Sequence, residues 1–240
     1  MTTAPTLVVF DLDDTLYEYA PCDEAGRNAL VRYATTELGI RDTGIRERFA
    51  EARSRVKARL GNVASSHSRL LYCHEFLELM GLRSDPLVAL SMEQEYWRTY
   101  LLTAHLRPGA LDLLQTLRYN NVATAIVTDL TAQIQFRKLT YLDLSKHIDH
   151  VVCSEETPEE KSSLDPFKLL FERVAAPARR SVWFIGDRDI DAPVSALVEL
   201  GLIEEGRGFV REDSENEHHA GWTEFADIER AADKVLEAAA

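Results

Sequence analysis

Cysteines, long apolar runs and positive charges are scarce in this chain, and each scarcity excludes a class of protein. Only three cysteines occur among 240 residues, odd in number and far apart, at Cys22, Cys73 and Cys153. This spacing is not that of a disulfide framework and is typical of a protein in the reducing cytoplasm. No segment approaches the uninterrupted apolar length of a membrane span, and the first residues lack a signal-like basic and apolar stretch. We therefore expect a cytoplasmic protein without a membrane partner.

The shortage of positive charge limits the partners further. Lysine and arginine number 27 against 40 acidic residues, which gives a formal net charge of −13. Such a surface argues against binding of a nucleic-acid polymer, although cations concentrated at one site can still bind a small anion. The hydrophobic content of 45% is that of a globular protein, and the length suits one large domain or two modest ones. The sequence leaves the oligomeric state open.

The most informative feature that is present is a short apolar run ending in a cluster of acids. Residues 6–10 are Thr-Leu-Val-Val-Phe, which predicts a buried strand, and Asp11, Asp13 and Asp14 follow directly. Carboxylates so close together repel one another unless a divalent cation neutralises them. Because ligand sites in open α/β sheets lie at the carboxyl ends of strands, we expect a catalytic or metal-binding edge here. A solvated acidic turn is the alternative interpretation.

The next stretch of the chain has a helical pattern throughout. Glycines and polar residues mark the ends of four predicted helices, over 23–38, from 42 or 43 to 60, from 65 or 66 to 80, and over 85–102. Asp23 is the expected N-cap of the first helix. Four helices joined by short polar loops predict an antiparallel bundle.

From Pro108 onward, predicted strands and helices alternate. The strands cover 122–127, 150–153 and 181–185, and the helices cover 110–119, 132–142, 166–174 and 194–200, followed by a loop over 211–221 and a last helix over 225–239. Alternation of this kind implies parallel crossovers and a doubly wound, Rossmann-like sheet. The predicted fold is therefore an α/β core of residues 1–16 and 105–240, with a helical bundle of residues 17–104 inserted after the first strand.

Polar groups also follow the later predicted strands. Thr128 and Asp129 end one strand, Gly186-Asp187 ends another, and Lys161 lies in an acidic stretch between them. Acids for a metal, together with a hydroxyl and a lysine for phosphate oxygens, are what phosphoryl transfer needs. Taken singly, Thr128 could cap a helix and Lys161 could be a solvated surface lysine.

In their order along the chain, these motifs resemble those of the haloacid dehalogenase-like hydrolase superfamily, in the branch with a helical cap inserted after the first strand. The matching motifs are Asp11-Leu-Asp13-Asp14-Thr15, Thr128, Lys161, and Gly186-Asp187 with Asp191. The resemblance covers nearly the whole chain. Its phosphatases are the more similar members, because Thr128-Asp129 is followed by Gln133, Gln135 and Lys138-Leu139.

The resemblance implies a phosphatase that hydrolyses a small phosphate ester through an aspartyl-phosphate. Asp11 would be the nucleophile, and Asp13 would protonate the leaving oxygen and then activate water. Lys161, Thr128 and Asp129 would bind the phosphoryl group, with Lys161 also offsetting the repulsion between carboxylates. A phosphomutase of the same superfamily is one alternative. A receiver-like module that binds a phosphoryl group for signalling is another.

The same resemblance implies Mg²⁺ as the cofactor. Asp11, the backbone carbonyl of Asp13, and Asp187 would hold the ion, and Asp191 would complete or orient its shell. Asp189 is an alternative to Asp191, because the spacing of the fourth motif varies between members. Lys168 is an alternative to Lys161, because Ser-Ser-Leu separates Lys161 from the Asp-Pro that usually follows the motif lysine almost directly.

The helical cap supplies the expected substrate contacts. If its helices run alternately away from and toward the core, the turn Gly61–Arg69 between the second and third helices should overhang the active site. Asn62, Ser66, His67 and Arg69 are the candidate contacts in this turn. A plain interhelical turn is the alternative interpretation.

Overall fold

The chain folds into two units in the computed structural model, which describes residues 4–41, 44–211 and 223–225. One unit comprises Met1–Glu18 and His105–Ala240, and the other comprises Tyr19–Ala104. The loop predicted over 211–221 and the helix predicted over 225–239 lie, apart from their first residues, outside the described residues. Asp42 and Thr43, where the second helix was expected to begin, also lie outside them.

The first unit is built on a parallel sheet with its first strand near the centre. Its strands are β1 Leu7–Phe10, β2 Ala123–Thr128, β3 His150–Cys153, β4 Ser181–Gly186, β5 Glu205–Arg211 and β6 Thr223–Phe225. Their order is β3-β2-β1-β4-β5-β6, and every neighbouring pair is parallel. The doubly wound α/β prediction is confirmed. Sequence reasoning missed β5 because its glycines and charges hide the apolar signal of a buried strand.

Helices complete this unit, and the central strand β1 is buried on both faces. The helices are α5 Ala110–Tyr119, α6 Ala132–Tyr141, α7 Asp165–Arg173 and α8 Val194–Glu199. Successive strand side chains point to opposite faces, so Leu7 and Val9 join the cluster that contains Phe167 and Phe171 of α7, while Val8 and Phe10 point the other way. A strand covered on both faces must be apolar along its whole length, which explains the sequence of β1.

The second unit is a bundle of four helices. They are α1 Tyr19–Thr36, α2 Ile45–Leu60, α3 Arg69–Leu79 and α4 Pro86–Thr103, with α1 packed on α4 and α2 packed on α3. The Asp85 side chain caps α4 by accepting hydrogen bonds from the amides of Leu87 and Val88, which confirms the predicted start of this helix. No helix among the described residues has the length and apolarity that crossing a membrane requires.

Two helix starts in the bundle differ from prediction. α1 begins at Tyr19, so Asp23 lies inside the helix and is buried rather than acting as its N-cap. The helix extends through Pro21 because proline is tolerated in a first turn, where its missing N–H is not needed. α3 begins after Ser68, which caps it, and the residues expected to start it form a separate 3₁₀ turn over Ala64–His67.

Candidate active site

The acidic residues converge at the carboxyl edge of the sheet, where β1 ends between its two neighbours. Phe10 is in register with Ile126 of β2 and with Ile185 of β4. The next residue, Asp11, therefore emerges between the ends of both strands, and its amide donates to the Ile185 carbonyl at 2.9 Å. Because parallel strands end at one edge, residues far apart in sequence meet the buried Asp11 carboxylate here.

Lys161 is the cation at this edge. Its side chain is 1% exposed, and Nζ lies 2.6 Å from Asp11 Oδ1 and 2.5 Å from Asp191 Oδ1. Burial alone would lower the pKa of Lys161, but the charges of Asp11 and Asp191 outweigh burial and raise it above its usual value. The ammonium group is therefore charged at neutral pH, as binding of a phosphoryl group requires.

The alternative motif lysine has a different environment. Lys168 lies on α7, its side chain is 45% exposed, and Nζ lies 2.9 Å from Asp165 Oδ1. After Lys161, Ser162 and Ser163 complete a 3₁₀ turn over Lys161–Ser163, and Leu164 follows with φ 68°. This turn accommodates the unusual spacing while the lysine contacts the acids.

Carboxylates outnumber cations at the strand ends. Asp11, Asp187 and Asp191 each offer an oxygen within 4.8 Å of the other two. Burial raises the pKa of Asp11 well above its usual value, with further increases from Asp191 and Asp187. Burial and the nearby Asp191 charge raise the pKa of Asp187 to about 6. In the resting site, these groups would be more stable with an additional positive charge.

The donor set fits a divalent cation such as Mg²⁺. Three carboxylates supply the hard oxygen ligands that Mg²⁺ prefers. Asp187 Oδ1 is buried and has no hydrogen-bond partner among the described residues, and Arg188 Nε is 4.0 Å from it. A buried oxygen without a hydrogen bond destabilises the fold unless a ligand binds it. Asp189 is outside the cluster of three, and so is the carboxylate of Asp13.

The glycine of the fourth motif has a steric explanation. A Cβ atom added to Gly186 would lie 2.3 Å from Asp191 Cβ, which no real contact tolerates. Asp191 can approach the end of β4 so closely only because position 186 has no side chain. Its Oδ2 accepts a hydrogen bond from the Arg188 amide at 3.0 Å, so backbone and lysine together orient this carboxylate.

Asp13 has partners of its own. Lys138 Nζ lies 2.7 Å from both Asp13 oxygens, and Tyr17 Oη donates to Asp13 Oδ1 at 2.5 Å. Sequence reasoning included Lys138 only in the family resemblance and did not consider Tyr17. The available signals were the i, i+4 spacing of Asp13 and Tyr17 and the i, i+3 spacing of Gln135 and Lys138 in α6.

Thr128 and Asp129 are both tied into the site. Gln135 Nε2 donates to Thr128 Oγ1 and to the Asp129 carbonyl, each at 2.7 Å, and Thr128 is buried. The Asp129 carboxylate accepts a hydrogen bond from the Lys161 amide at 3.0 Å, so it orients the lysine turn. Because a carboxylate repels a phosphoryl group, phosphate contact by Asp129 would have to come from its backbone amide.

The four candidate contacts in the helical unit differ in exposure. Asn62 is exposed and His67 is half-buried, whereas Ser66 and Arg69 are buried. The Arg69 guanidinium donates to Tyr19 Oη at 2.5 Å, to Tyr96 Oη at 3.3 Å and to the His67 carbonyl at 2.9 Å. Arg69 is thus engaged within the helical unit, and substrate contact by these four residues stays a prediction.

Comparison with known proteins agrees with this geometry. The sequence model of the haloacid dehalogenase-like hydrolases matches residues 5–197. A ribulose-1,5-bisphosphate 5-phosphatase of Halopiger xanaduensis is 38% identical over 199 residues, which are 82% of each protein. A glyceraldehyde 3-phosphate phosphatase of Methanocaldococcus jannaschii is 25% identical over 196 residues, again 82% of each. The crystal structure of a 2-haloacid dehalogenase of Pseudomonas syringae pv. Tomato has a TM-score of 0.73 at 20% identity, covering 98% of this chain and 100% of that one, and bears on the fold alone.

Proposed function

We propose that this chain, which belongs to the haloacid dehalogenase-like hydrolases, hydrolyses small phosphate esters through an aspartyl-phosphate formed on Asp11. The observation that carries the proposal is the buried Asp11 carboxylate, 2.6 Å from a charged lysine and beside further carboxylates at the strand ends. The named relatives are phosphoric monoester hydrolases. The aspartyl-phosphate intermediate and the Mg²⁺ cofactor are our proposal.

The chain's own residues account for both halves of the reaction. An Asp11 oxygen attacks phosphorus, the bond from phosphorus to the leaving oxygen breaks, and Asp13 gives that oxygen its proton. Water then attacks the aspartyl-phosphate, Asp13 takes a proton from it, and the bond from phosphorus to Asp11 breaks to release phosphate. Lys161 and the Thr128 hydroxyl bind the phosphoryl oxygens throughout and stabilise the charge that they carry.

Mg²⁺ is the cofactor that the site would hold. Asp11, Asp187 and the backbone carbonyl of Asp13 would be its ligands, with Asp191 orienting the shell. The cation would supply positive charge against the phosphoryl oxygens and the carboxylates. The buried Asp187 oxygen, which has no hydrogen-bond partner among the described residues, supports this assignment.

The substrate that we propose is a short phosphorylated sugar. The relative that is 38% identical is named for ribulose 1,5-bisphosphate, and a more distant one for glyceraldehyde 3-phosphate. The chain is acidic overall, but the buried Lys161 places a positive charge at the proposed catalytic edge. A small anionic substrate is compatible with this arrangement.

The test is phosphate release from ribulose 1,5-bisphosphate, glyceraldehyde 3-phosphate and phosphoglycolate by the full chain. We expect Mg²⁺-dependent release from at least one of them, none in excess EDTA, and none from the nearly isosteric Asp11→Asn variant. Turnover by a homogeneous Asp11→Asn preparation would exclude Asp11 as the nucleophile. Transfer of the phosphoryl group to a second sugar would indicate a phosphomutase, and a phosphoprotein that does not turn over would indicate a signalling module.

A further inference from the structure

Asp13 is clamped by two side chains that the proposed reaction does not use. We propose that Lys138 and Tyr17 are positioning residues, which fix the rotation of the Asp13 carboxyl group so that it can exchange a proton with the leaving oxygen and then with water. This inference rests on the proposed function, because it assumes that Asp13 is the acid and base.

The contacts of Lys138 restrain the carboxyl group in a particular way. Nζ lies 2.7 Å from both Oδ1 and Oδ2, so it bridges the two oxygens symmetrically. Rotation of the carboxyl group about its Cβ–Cγ bond would lengthen at least one of these contacts. Tyr17 Oη adds a third contact, to Oδ1 at 2.5 Å, and the two donors together leave the group one well-defined orientation.

Both donors are themselves held firmly. The Lys138 side chain is 1% exposed, and its Nζ lies 5.8 Å from the centroid of the Tyr17 ring, within the range of a cation–π contact. Tyr17 is fully buried, and its backbone bridges both Asp13 and Leu106. Lys138 also lies one turn beyond Gln135, so the same face of α6 holds Asp13 through one residue and Thr128 through the other.

A structural role alone does not require this arrangement. Removing an ammonium group from water costs several kcal/mol, and an apolar residue of similar size is often as stabilising. Proton transfer, by contrast, needs the acid within hydrogen-bond reach of the reacting oxygen, and a misplacement of about 1 Å can cost about 10²-fold in rate. The clamp is therefore better explained by the geometry of Asp13 than by stability.

The experiment compares two esters that differ in their need for a proton. The leaving group of an alkyl ester such as glyceraldehyde 3-phosphate is an alkoxide, which needs the proton of Asp13. The leaving group of p-nitrophenyl phosphate is p-nitrophenolate, which leaves without a proton. We expect Lys138→Met to lower kcat/KM about 10²-fold for the alkyl ester and to leave kcat/KM for p-nitrophenyl phosphate unchanged. Tyr17→Phe, which removes one of the three contacts, should show the same selectivity with a smaller loss. Lys168→Met, which breaks an exposed lysine–aspartate pair of the same unit, is the matched control and should change neither value.

Thermal unfolding of each variant separates positioning from folding. A loss that is equal for both esters, with a lower Tm, would overturn the proposal in favour of a structural lysine. An equal rise in KM for both esters at unchanged kcat would overturn it in favour of a lysine that binds the phosphoryl group. If Lys138→Met does not fold, Tyr17→Phe decides, because it removes a single hydroxyl group. Failure of the proposed function would be recognised separately, since the wild-type chain would then hydrolyse neither ester.

Discussion

Lys161 in the first unit and Arg69 in the helical unit are both buried cations, and nearby carboxylates balance their charges differently. Lys161 contacts two carboxylates at the strand ends, and Asp187 provides a third acid beside them. Arg69 of the helical unit, 6% exposed, lies 3.6 Å from one carboxylate, that of Asp23. Its other partners are neutral hydroxyl and carbonyl oxygens and four aromatic rings whose centroids lie within 5.9 Å. A surplus of acids around a buried cation indicates a place for a further cation, whereas a balanced network indicates structure.

The carboxyl pKa values show the same contrast. Burial raises the pKa of Asp11 and that of Asp187, and repulsion from neighbouring acids raises both further. The charge of Lys161 at Asp11, and those of Arg188 and Lys161 at Asp187, do not offset these effects. Burial would also raise the pKa of Asp23, but the Tyr96 hydrogen bond and the charges of Arg69 and Arg27 lower it below its usual value. The charged form is therefore disfavoured at the strand ends and favoured in the bundle. Neutralising an acid should have opposite effects on stability in the two units.

The largest expected effect is on catalysis. Lys161→Met should lower kcat by about 10²–10³-fold, because the phosphoryl group loses a charged donor. Lys168→Met should hydrolyse phosphate esters at the wild-type rate, since the partner of Lys168 among the described residues is Asp165 on α7. Steady-state phosphate release from the two variants tests this pair. The reverse result would identify Lys168 as the motif lysine. It would contradict the assignment of Lys161 as the cation of the site.

The next effect is on the stability of the helical unit. Arg69→Met should lower the free energy of unfolding by about 3 kcal/mol, because the buried Asp23 carboxylate loses one of its two cationic partners. The control is Arg59→Met, whose side chain is 58% exposed and pairs with Glu75 at 3.0 Å, and which should cost less than about 1 kcal/mol. Urea denaturation of the full chain measures both. An Arg69 variant that is as stable as the control, but selective among substrates, would favour substrate contact over structure.

A smaller effect concerns acid sensitivity. Because the folded state lowers the Asp23 pKa, the stabilisation by this carboxylate is present above its ordinary pKa of 3.8 and is lost as the pH falls through the folded-state value. Asp23→Asn should therefore be less stable than wild type at pH 7, and the difference should shrink below pH 3.8. Unfolding curves at both pH values give the comparison. A difference that does not depend on pH would mean that packing, not charge, is lost.

The smallest effect has the opposite sign and concerns the strand ends. The folded-state pKa of Asp187, about 6 against 3.8, means that ionisation of this group destabilises the metal-free fold progressively as the pH rises through that interval. In EDTA, Asp187→Asn should raise Tm at pH 7, because the neutral amide removes the unfavourable ionisation. The same substitution should have no such effect at pH 4. A lower Tm at pH 7 would show that Asp187 stabilises the fold, as Asp23 does.

The sequence predicted which residues meet at the strand ends better than it predicted the contacts within the bundle. Asp11 directly follows β1, Thr128 ends β2 and Lys161 lies in the loop after β3. Because parallel topology brings strand ends together, local patterns sufficed for the fold. The Arg69 network escaped prediction because it joins Asp23 of α1 to Tyr96 of α4, and no periodicity links residues so far apart. The sequence pattern predicted Asp23 as a helix cap, whereas in the structure Asp23 is buried inside α1. Tyr17 was not predicted, and Lys138 entered only through the family resemblance, since a lone lysine in a helix is usually solvated.

Calorimetric titration of Mg²⁺ into the metal-free protein at pH 7 tests most directly whether the surplus of acids at the strand ends is a cation site. We expect saturable binding to one site in the wild-type chain, loss of that binding in Asp187→Asn, and unchanged binding in Asp165→Asn, a matched control that removes a carboxylate of the same unit from the exposed Lys168 pair. Wild-type affinity in Asp187→Asn, or no binding to the wild-type chain, would contradict the assignment.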